Sequence, residues 1–311
     1  IRGYHLLKHL SAGRRVHLAA FADDRRDLER TDGLAGLTDD RAILWRGKPQ
    51  WRAAGQALAS GRPVSLTAFD DGAMRDAVGQ MLARHKIDTI FVFSSQMAQY
   101  LPARPRARVI MDFVDMDSAK FETYAQDARG PMRWMLAREA RLLERYETQV
   151  AARVDASLFV SAAEAALFRD RTGAMRVQAI ENGIDTAHFD PQAAFARLPE
   201  ATETIVFTGQ MDYRPNVEGV AWFVEAILPR IRASHPAAQF VIVGRNPSEA
   251  VTALARQPGV TVTGEVDDVR GWLAQAALVV APLKLARGVQ NKVLEGMAMA
   301  RPVVASAAAA E

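Results

Sequence analysis

Short apolar, β-rich runs alternate with helical stretches along the whole chain, and this rhythm restricts it to a parallel α/β architecture. In the first half the runs are Val16 to Phe21, Val64 to Thr67, Thr89 to Phe93, Arg108 to Phe113 and Ser157 to Val160. In the second half they are Ile205 to Gly209, Phe240 to Gly244, Val260 to Gly264, Leu278 to Pro282 and Pro302 to Ala305. Helices are expected at Gly3 to Leu10, Pro131 to Ala151, Asn216 to Ile231, Glu249 to Arg256 and Val269 to Gln275, with another opening near Val289. In the helix from Pro131, the residues Met132, Met135, Leu136, Leu142, Leu143, Tyr146 and Val150 recur at helical spacing and form the expected packing face. Its many Arg residues leave contact with a membrane surface as the second reading. In the helix from Asn216, a stripe of Val217, Val220, Val224, Ile227, Leu228 and Ile231 is expected to be buried, and Pro229 to kink it.

A length of 311 residues favours two domains, each able to bury a core, and 49% apolar with 24% charged residues is ordinary globular composition. The formal charge of +3 comes without an aromatic-interleaved basic stripe, so nucleic acid is not expected as a partner. The absence of cysteine excludes disulfides, thiol catalysis and Cys-based metal sites, and fits a cytoplasmic protein. No apolar stretch has the length of a membrane span. The six histidines, at positions 5, 9, 17, 85, 188 and 235, show no metal-like spacing, and His5 and His9, one turn apart, read as surface or packing residues.

The polar residues gather in one segment, Leu278 to Ala305, reading LVVAPLKLARGVQNKVLEGMAMARPVVA. It is a strand, loop, helix, strand unit. If the helix begins near Val289, its unpaired N–H groups and positive dipole end form an anion site, and Gly288 allows a phosphate close to the backbone. Glu295 then lies two turns in, roughly 9 Å along the axis. Arg287, Asn291 and Glu295 recur every four residues on one face, placing a cation at the phosphate end and a carboxylate further in. A nucleotide diphosphate fits that polarity. A solvated amphipathic helix with a Lys292–Glu295 surface pair fits the pattern equally well.

The segment resembles the donor-site signature of retaining, family-4 type glycosyltransferases of the GT-B fold, and most closely the exopolysaccharide (PEP-CTERM-associated) sugar-transferase subgroup, whose pattern runs R-G-x-Q-N-K-V-L-E-x-M-A-M-G-x-P-V-V. Here it stands as Arg287, Gly288, Gln290, Asn291, Lys292, Val293, Leu294, Glu295, Met297, Ala298, Met299, Pro302, Val303 and Val304, with Ala300 where glycine is usual. The wider family carries a Glu at the position of Arg287. The resemblance implies a nucleotide-sugar donor, Glu295 at its ribose, Arg287 and Lys292 at its diphosphate, and Gly288, Gln290 and Asn291 beside them. It also implies two Rossmann-like parallel-sheet domains facing a cleft. The Asn-Gly and Asp-Pro turns of Glu181 to Pro191, ENGIDTAHFDP, resemble the connection opening the second domain, which puts the acceptor-side domain at 1–181 and the donor domain at 182–311. In the family a first strand and glycine-rich loop precede the helix that opens this chain, and further elements follow the strand ending near Ser306. The resemblance therefore leads one to expect a chain shortened at both ends, whose activity alone stays open.

Other strand ends add candidates. Phe207 to Asn216, FTGQMDYRPN, joins a strand to a helix, where ligands bind in open α/β sheets, and offers Gly209, Gln210, Arg214 and Asn216. The family has Arg and Lys where Gln210 and Asn216 stand. A bland turn capped by Asp212 is the alternative. Gly244, Arg245 and Asp267 stand at neighbouring strand ends, where turns and capping by Asp267 or Asp268 compete with donor binding. Asp112, Asp115, Asp117, Ser118 and Lys120, in VIMDFVDMDSAKF, are acceptor-side candidates by resemblance, with capping of the next helix as the leading alternative. Their spacing fails the calcium-loop pattern, so no metal is expected. The function implied is sugar transfer to a glycan or lipid-linked acceptor in exopolysaccharide synthesis, without cofactor or metal, in the cytoplasm or peripherally at the inner face of a membrane. A non-catalytic nucleotide-sugar-binding scaffold and a nucleotide-sugar epimerase of the same fold are its rivals.

Overall fold

The computed structural model describes residues 2–29, 31–199, 203–284 and 289–310, without the side chains of residues 25 and 26. The chain divides into two compact units, Ile1–Ile180 and Glu181–Glu311. The first opens with α1 (Arg2–Ser11), β1 (His17–Ala22), α2 (Arg25–Glu29), α3 (Asp32–Ala35), β2 (Asp40–Trp45), α4 (Gln50–Ser60), α5 (Val64–Ala68) and α6 (Gly72–Arg84). It continues with β3 (Thr89–Phe93), a 3-10 turn, β4 (Arg108–Val114), α7 (Asp117–Asp127), α8 (Gly130–Ala151), β5 (Ala156–Phe159), α9 (Ala162–Thr172) and β6 (Val177–Ala179). The strands make two parallel sheets, β1-β2 and β3-β4-β5-β6. Phe113, Phe159 and Phe168 fill the core beside the larger sheet, with Phe159 and Phe168 centroids 4.6 Å apart.

Two expectations change here. Val64 to Thr67 is helix α5 rather than a strand, because the carboxylate of Glu139 in α8 accepts from Val64 N (2.7 Å) and Ser65 N (2.8 Å) and so caps it from outside. A remote cap thus overrides the β preference of the local residues. The buried stripe of α8 is Glu139, Ala140, Leu143, Glu147, Val150 and Ala151, whereas Met132 and Met135, in its first two turns, are 51% and 40% exposed.

The second unit contains β7 (Thr204–Thr208), α10 (Arg214–Trp222), a π turn (Phe223–Ile227), α11 (Leu228–Ser234), β8 (Gln239–Val243) and α12 (Glu249–Leu254). Then come β9 (Val260–Gly264), α13 (Arg270–Gln275), β10 (Leu278–Ala281), α14 (Asn291–Ala298) and β11 (Val303–Ala305). Its sheet is parallel, in the order β11-β10-β7-β8-β9. Alternate residues of β7 pack into separate clusters, Ile205 and Phe207 in one and Val206 in the other, so both faces are covered as a parallel sheet requires. Pro229 stands in the first turn of α11, just after that π turn. It offers no N–H, and the helix absorbs the misfit as the π turn, where Leu228 N bonds to Phe223 O.

Candidate functional site

The order β9-β8-β7-β10-β11 reverses direction between β7 and β10, and in open α/β sheets ligands bind at that switch, off the strands' carboxyl ends. Four buried polar residues meet there: Thr208, Asn216, Lys292 and Glu295. Backbone packing leaves little freedom around them. A Cβ on Gly244 would lie 1.6 Å from the carbonyl oxygen of Gly209, so the chain leaving β8 touches the chain leaving β7 and admits only glycine. A Cβ on Gly209 would meet Asn216 Nδ2 at 2.7 Å. Asn216 is in turn fixed by donating Nδ2–H to the Gln210 carbonyl at 2.9 Å.

From the other side, α14 delivers the charged pair. Lys292 Nζ donates to Asn216 Oδ1 at 3.3 Å and lies 5.1 Å above the centre of the Phe207 ring. Glu295 Oε2 accepts from Thr208 Oγ1, also at 3.3 Å. Both bonds are long for their type. The exposures of Lys292 and Glu295 are 9% and 8%, which removes the surface-pair reading. Burial pushes the Lys292 ammonium down to about 8, partly opposed by the Glu295 charge. Burial likewise raises Glu295, against the lowering effects of Thr208 and Lys292. Buried charges held by so few bonds are costly unless a further partner arrives, which marks the cluster as a candidate ligand site.

The helix begins at Asn291 rather than near Val289, because Gln290 is extended (φ −82, ψ 125) and holds the N-cap position without a side-chain cap bond. Glu295 therefore sits roughly 6 Å in, one turn from the helix start. The first-turn N–H groups of α14, at Asn291 and Lys292, point out of the helix's N-terminal end. Arg287 and Gly288 lie outside the described residues. Arg214 forms an exposed pair with Glu218 (2.6 Å) on α10. Asp212 does not cap α10, whose N-cap is Tyr213 without a side-chain bond. Asp267 is exposed, and capping of α13 falls to Asp268, which accepts from Arg270 N at 2.9 Å. Thr208 and Phe207 belong to the strand end FTGQMDYRPN, and their partners on α14 are 87 and 85 residues away, a pairing that spacing does not reveal.

In the first unit the acceptor-side candidates stand together at the end of β4 and start of α7, with their polar groups turned into the fold. Asp112 is fully buried, accepting from Arg2 Nε at 2.8 Å and from Val114 N at 3.1 Å. Asp117 accepts from Ser95 Oγ (2.7 Å) and Gln96 Nε2 (3.0 Å) and pairs with Lys120. Ser118 donates to Glu147 through both its N–H (3.2 Å) and its hydroxyl (2.5 Å). Asp115 lies in the turn between strand and helix. The expected cap from within this stretch is replaced by carboxylates of other helices. Glu164 of α9 accepts from Met116 N at 2.8 Å, and Glu147 of α8 accepts from Ser118 N. Burial pushes Glu147 up to about 8.

His17 and His85 stack on each other with centroids 3.9 Å apart, beside Asp40. Spacings of 23 and 45 residues along the chain concealed that meeting.

Residues 202–311 match the family model of Glycosyl transferases group 1. Anabaena Alr3699/HepE, crystallised with UDP and glucose, superposes with a TM-score of 0.63 at 14% identity, over 98% of this chain and 77% of that one. A trehalose-6-phosphate synthase gives 0.60 at 12% identity, over 94% of this chain and 85% of that one. The fold matches that of GT-B glycosyltransferases. Among curated proteins, a phosphatidyl-myo-inositol mannosyltransferase of Propionibacterium freudenreichii subsp. shermanii is 28% identical over 170 residues, 53% of this chain. This chain spans 42% of that relative's length. Among the described residues no helix is long and apolar enough to cross a membrane.

Proposed function

We propose that this chain carries the donor site of a glycosyltransferase that moves a sugar from a nucleotide diphosphate to a hydroxyl of a glycan or lipid-linked acceptor. The carrying observation is the buried Thr208–Asn216–Lys292–Glu295 cluster at the strand-order switch, inside the stretch that matches the group 1 family. Cleavage of the anomeric C–O bond leaves negative charge on the β-phosphate. Lys292 and the N–H groups of Asn291 and Lys292 meet that charge, joined by Arg287, Gly288 and Gln290. Glu295, one turn further in, accepts hydrogen bonds from the ribose hydroxyls, and Gly209, Gln210, Gly244 and Asp267 border the nucleotide. The acceptor attacks on the face the phosphate leaves, passing its proton to that phosphate, so configuration is retained. UDP is the first nucleotide to try, because the Anabaena fold neighbour was crystallised with it. The resemblance to the subgroup motif supports bacterial exopolysaccharide synthesis as the setting, in the cytoplasm or at the inner face of the membrane, with the exposed Arg-rich start of α8 as the contact.

One observation favours a second reading, a nucleotide-sugar-binding scaffold without turnover: Arg214 is engaged by Glu218, and Asn216 is spent on the protein's own Gln210 and Lys292. Thermal shift with a panel of nucleoside diphosphates tests binding, since a ligand held only by the native state raises its melting point. No shift with any of them removes both readings, whereas binding without transfer to any of several acceptors leaves the scaffold. Transfer should survive excess chelator at temperatures well below melting. Loss restored by manganese or magnesium would give the phosphates a metal partner instead.

A further inference from the structure

Away from the donor cluster, the first unit gathers a set of ligands that the transferase reading does not use. His17 opens β1 and Asp40 opens β2, and the two are direct partners in the parallel register. His85, the residue that ends α6, completes the set. One ligand atom from each lies within 4.8 Å of the others. His85 Nε2 is 2.8 Å from Asp40 Oδ2. Among the described residues His17 Nδ1 is buried with no hydrogen-bond partner, an arrangement that folded proteins rarely leave without a reason. The competing cation is weakly placed, because Arg84 Nη2 stands 3.6 Å from Asp40 and its side chain is 57% exposed.

We propose that His17, Asp40 and His85 form a binding site for a zinc-type divalent transition metal. Two imidazoles and a carboxylate are the donor set that suits zinc, with cobalt and nickel as close substitutes, while magnesium and calcium prefer all-oxygen shells. The stacked rings, tilted by only 9°, do not aim their lone pairs at one point. Binding therefore turns one imidazole out of the stack, about a torsion whose wells are broad and whose cost is small. The site lies at the amino ends of β1 and β2, whereas ligands of open α/β sheets bind at the carboxyl ends. Its role is accordingly structural. Among the described residues the β1-β2 sheet has no strand ladder to β3-β4-β5-β6, and the metal ties it to the end of α6, four residues before β3 begins.

The test uses the full chain, freed of metal with chelator, then titrated with Zn2+ by calorimetry and with Co2+ by visible absorption. One equivalent of Zn2+ should bind and raise the melting temperature, and Co2+ should develop d–d bands of a site with nitrogen ligands. His85→Gln keeps a hydrogen-bonding group beside Asp40 and, with an unchanged circular dichroism spectrum, should bind Zn2+ at least about tenfold more weakly and lose the Co2+ bands. A variant with both His5→Gln and His9→Gln should behave like the parent. Absence of one-equivalent binding, parental affinity in His85→Gln, or loss of binding in the His5 and His9 variant would each overturn the assignment.

Discussion

Both units bury ionisable side chains where a strand gives way to a helix, and the two clusters differ in how their partners are supplied. At the start of α7 Glu164 accepts from Met116 N at 2.8 Å, Glu147 from both the hydroxyl (2.5 Å) and the N–H (3.2 Å) of Ser118, and Asp117 from Ser95 Oγ at 2.7 Å and Gln96 Nε2 at 3.0 Å. Each carboxylate there completes a helix end or a neighbouring side chain. At the start of α14, among the described residues, the bonds that hold Lys292 and Glu295 are both 3.3 Å, and the N-cap residue Gln290 makes no side-chain cap bond. A hydrogen bond's net worth is small, but leaving a buried charge under-satisfied is expensive. A protein tolerates that expense where a ligand repays it. The degree of internal satisfaction therefore separates a polar cluster that holds the fold from one that awaits a partner, even when composition and burial look alike.

The sharpest way to break this contrast is to cut one group from each cluster. Lys292→Met should weaken nucleoside diphosphate binding by about 1.5 to 3 kcal/mol, the range for a charged hydrogen bond, with a melting temperature equal to the parent's or higher. Glu147→Ala should destabilise the fold by about 3 kcal/mol, since it strands the N–H and hydroxyl of Ser118, and should leave nucleotide affinity alone. Calorimetric binding and thermal melting of both variants decide the matter; if each variant moves both readouts, the two clusters do not differ in kind.

A pH series sharpens the same contrast. Lys292 gives up its proton as pH rises through about 8, so diphosphate affinity should fall across that range in the parent and stay flat in Lys292→Met. Glu147 has its folded value raised from 4.5 to about 8, so the protonated acid is favoured in the native state. The stability this gives is fully present below about 4.5 and is lost as pH rises through about 8. Glu147→Gln, neutral throughout, should remove that part of the decline in melting temperature. An identical melting profile in the variant would mean that Glu147 is ionised in the fold.

The smallest effect concerns the other end of α14. Ala300 is left-handed (φ 53), with Ala300 N bonded to Met297 O at 3.0 Å and Arg301 N to Gly296 O at 2.9 Å, a Schellman ending where glycine is the usual residue. Ala300→Gly should stabilise by about 1 kcal/mol or less. A clearly lower melting temperature would show that the side chain supplies packing worth more than the strain.

What the sequence disclosed, and what it hid, follows the range of the interactions. Thr89 to Phe93 and Val260 to Gly264 are strands to the residue, because a short β-branched and aromatic run, TIFVF or VTVTG, is a local signal. The left-handed Ala300 was legible as a missing glycine. Half of the two-stranded sheet is not legible, since β2 (Asp40–Trp45) has no clean alternation. Lys292 and Glu295 were found as a pair on one helix, whereas Thr208 and Phe207, which meet them from β7, were not. The buried glutamates 139, 147 and 164 escaped for the same reason: their partners are 74, 29 and 48 residues distant.

Those glutamates also bear on the order in which the first unit assembles. Two of the three, Glu139 and Glu147, belong to α8, and they hold the first turns of α5 and α7. Neither short helix has a side-chain cap at its own N-cap residue, so each keeps exposed, unpaired amides until α8 docks. In hydrogen exchange the amides of Val64, Ser65 and Ser118 should then open together at a single free energy, that of releasing α8, instead of fraying separately. The long helix would act as the keystone of one cooperative folding unit, and the last part of the chain from α5 to α7 to become protected would be its helix starts.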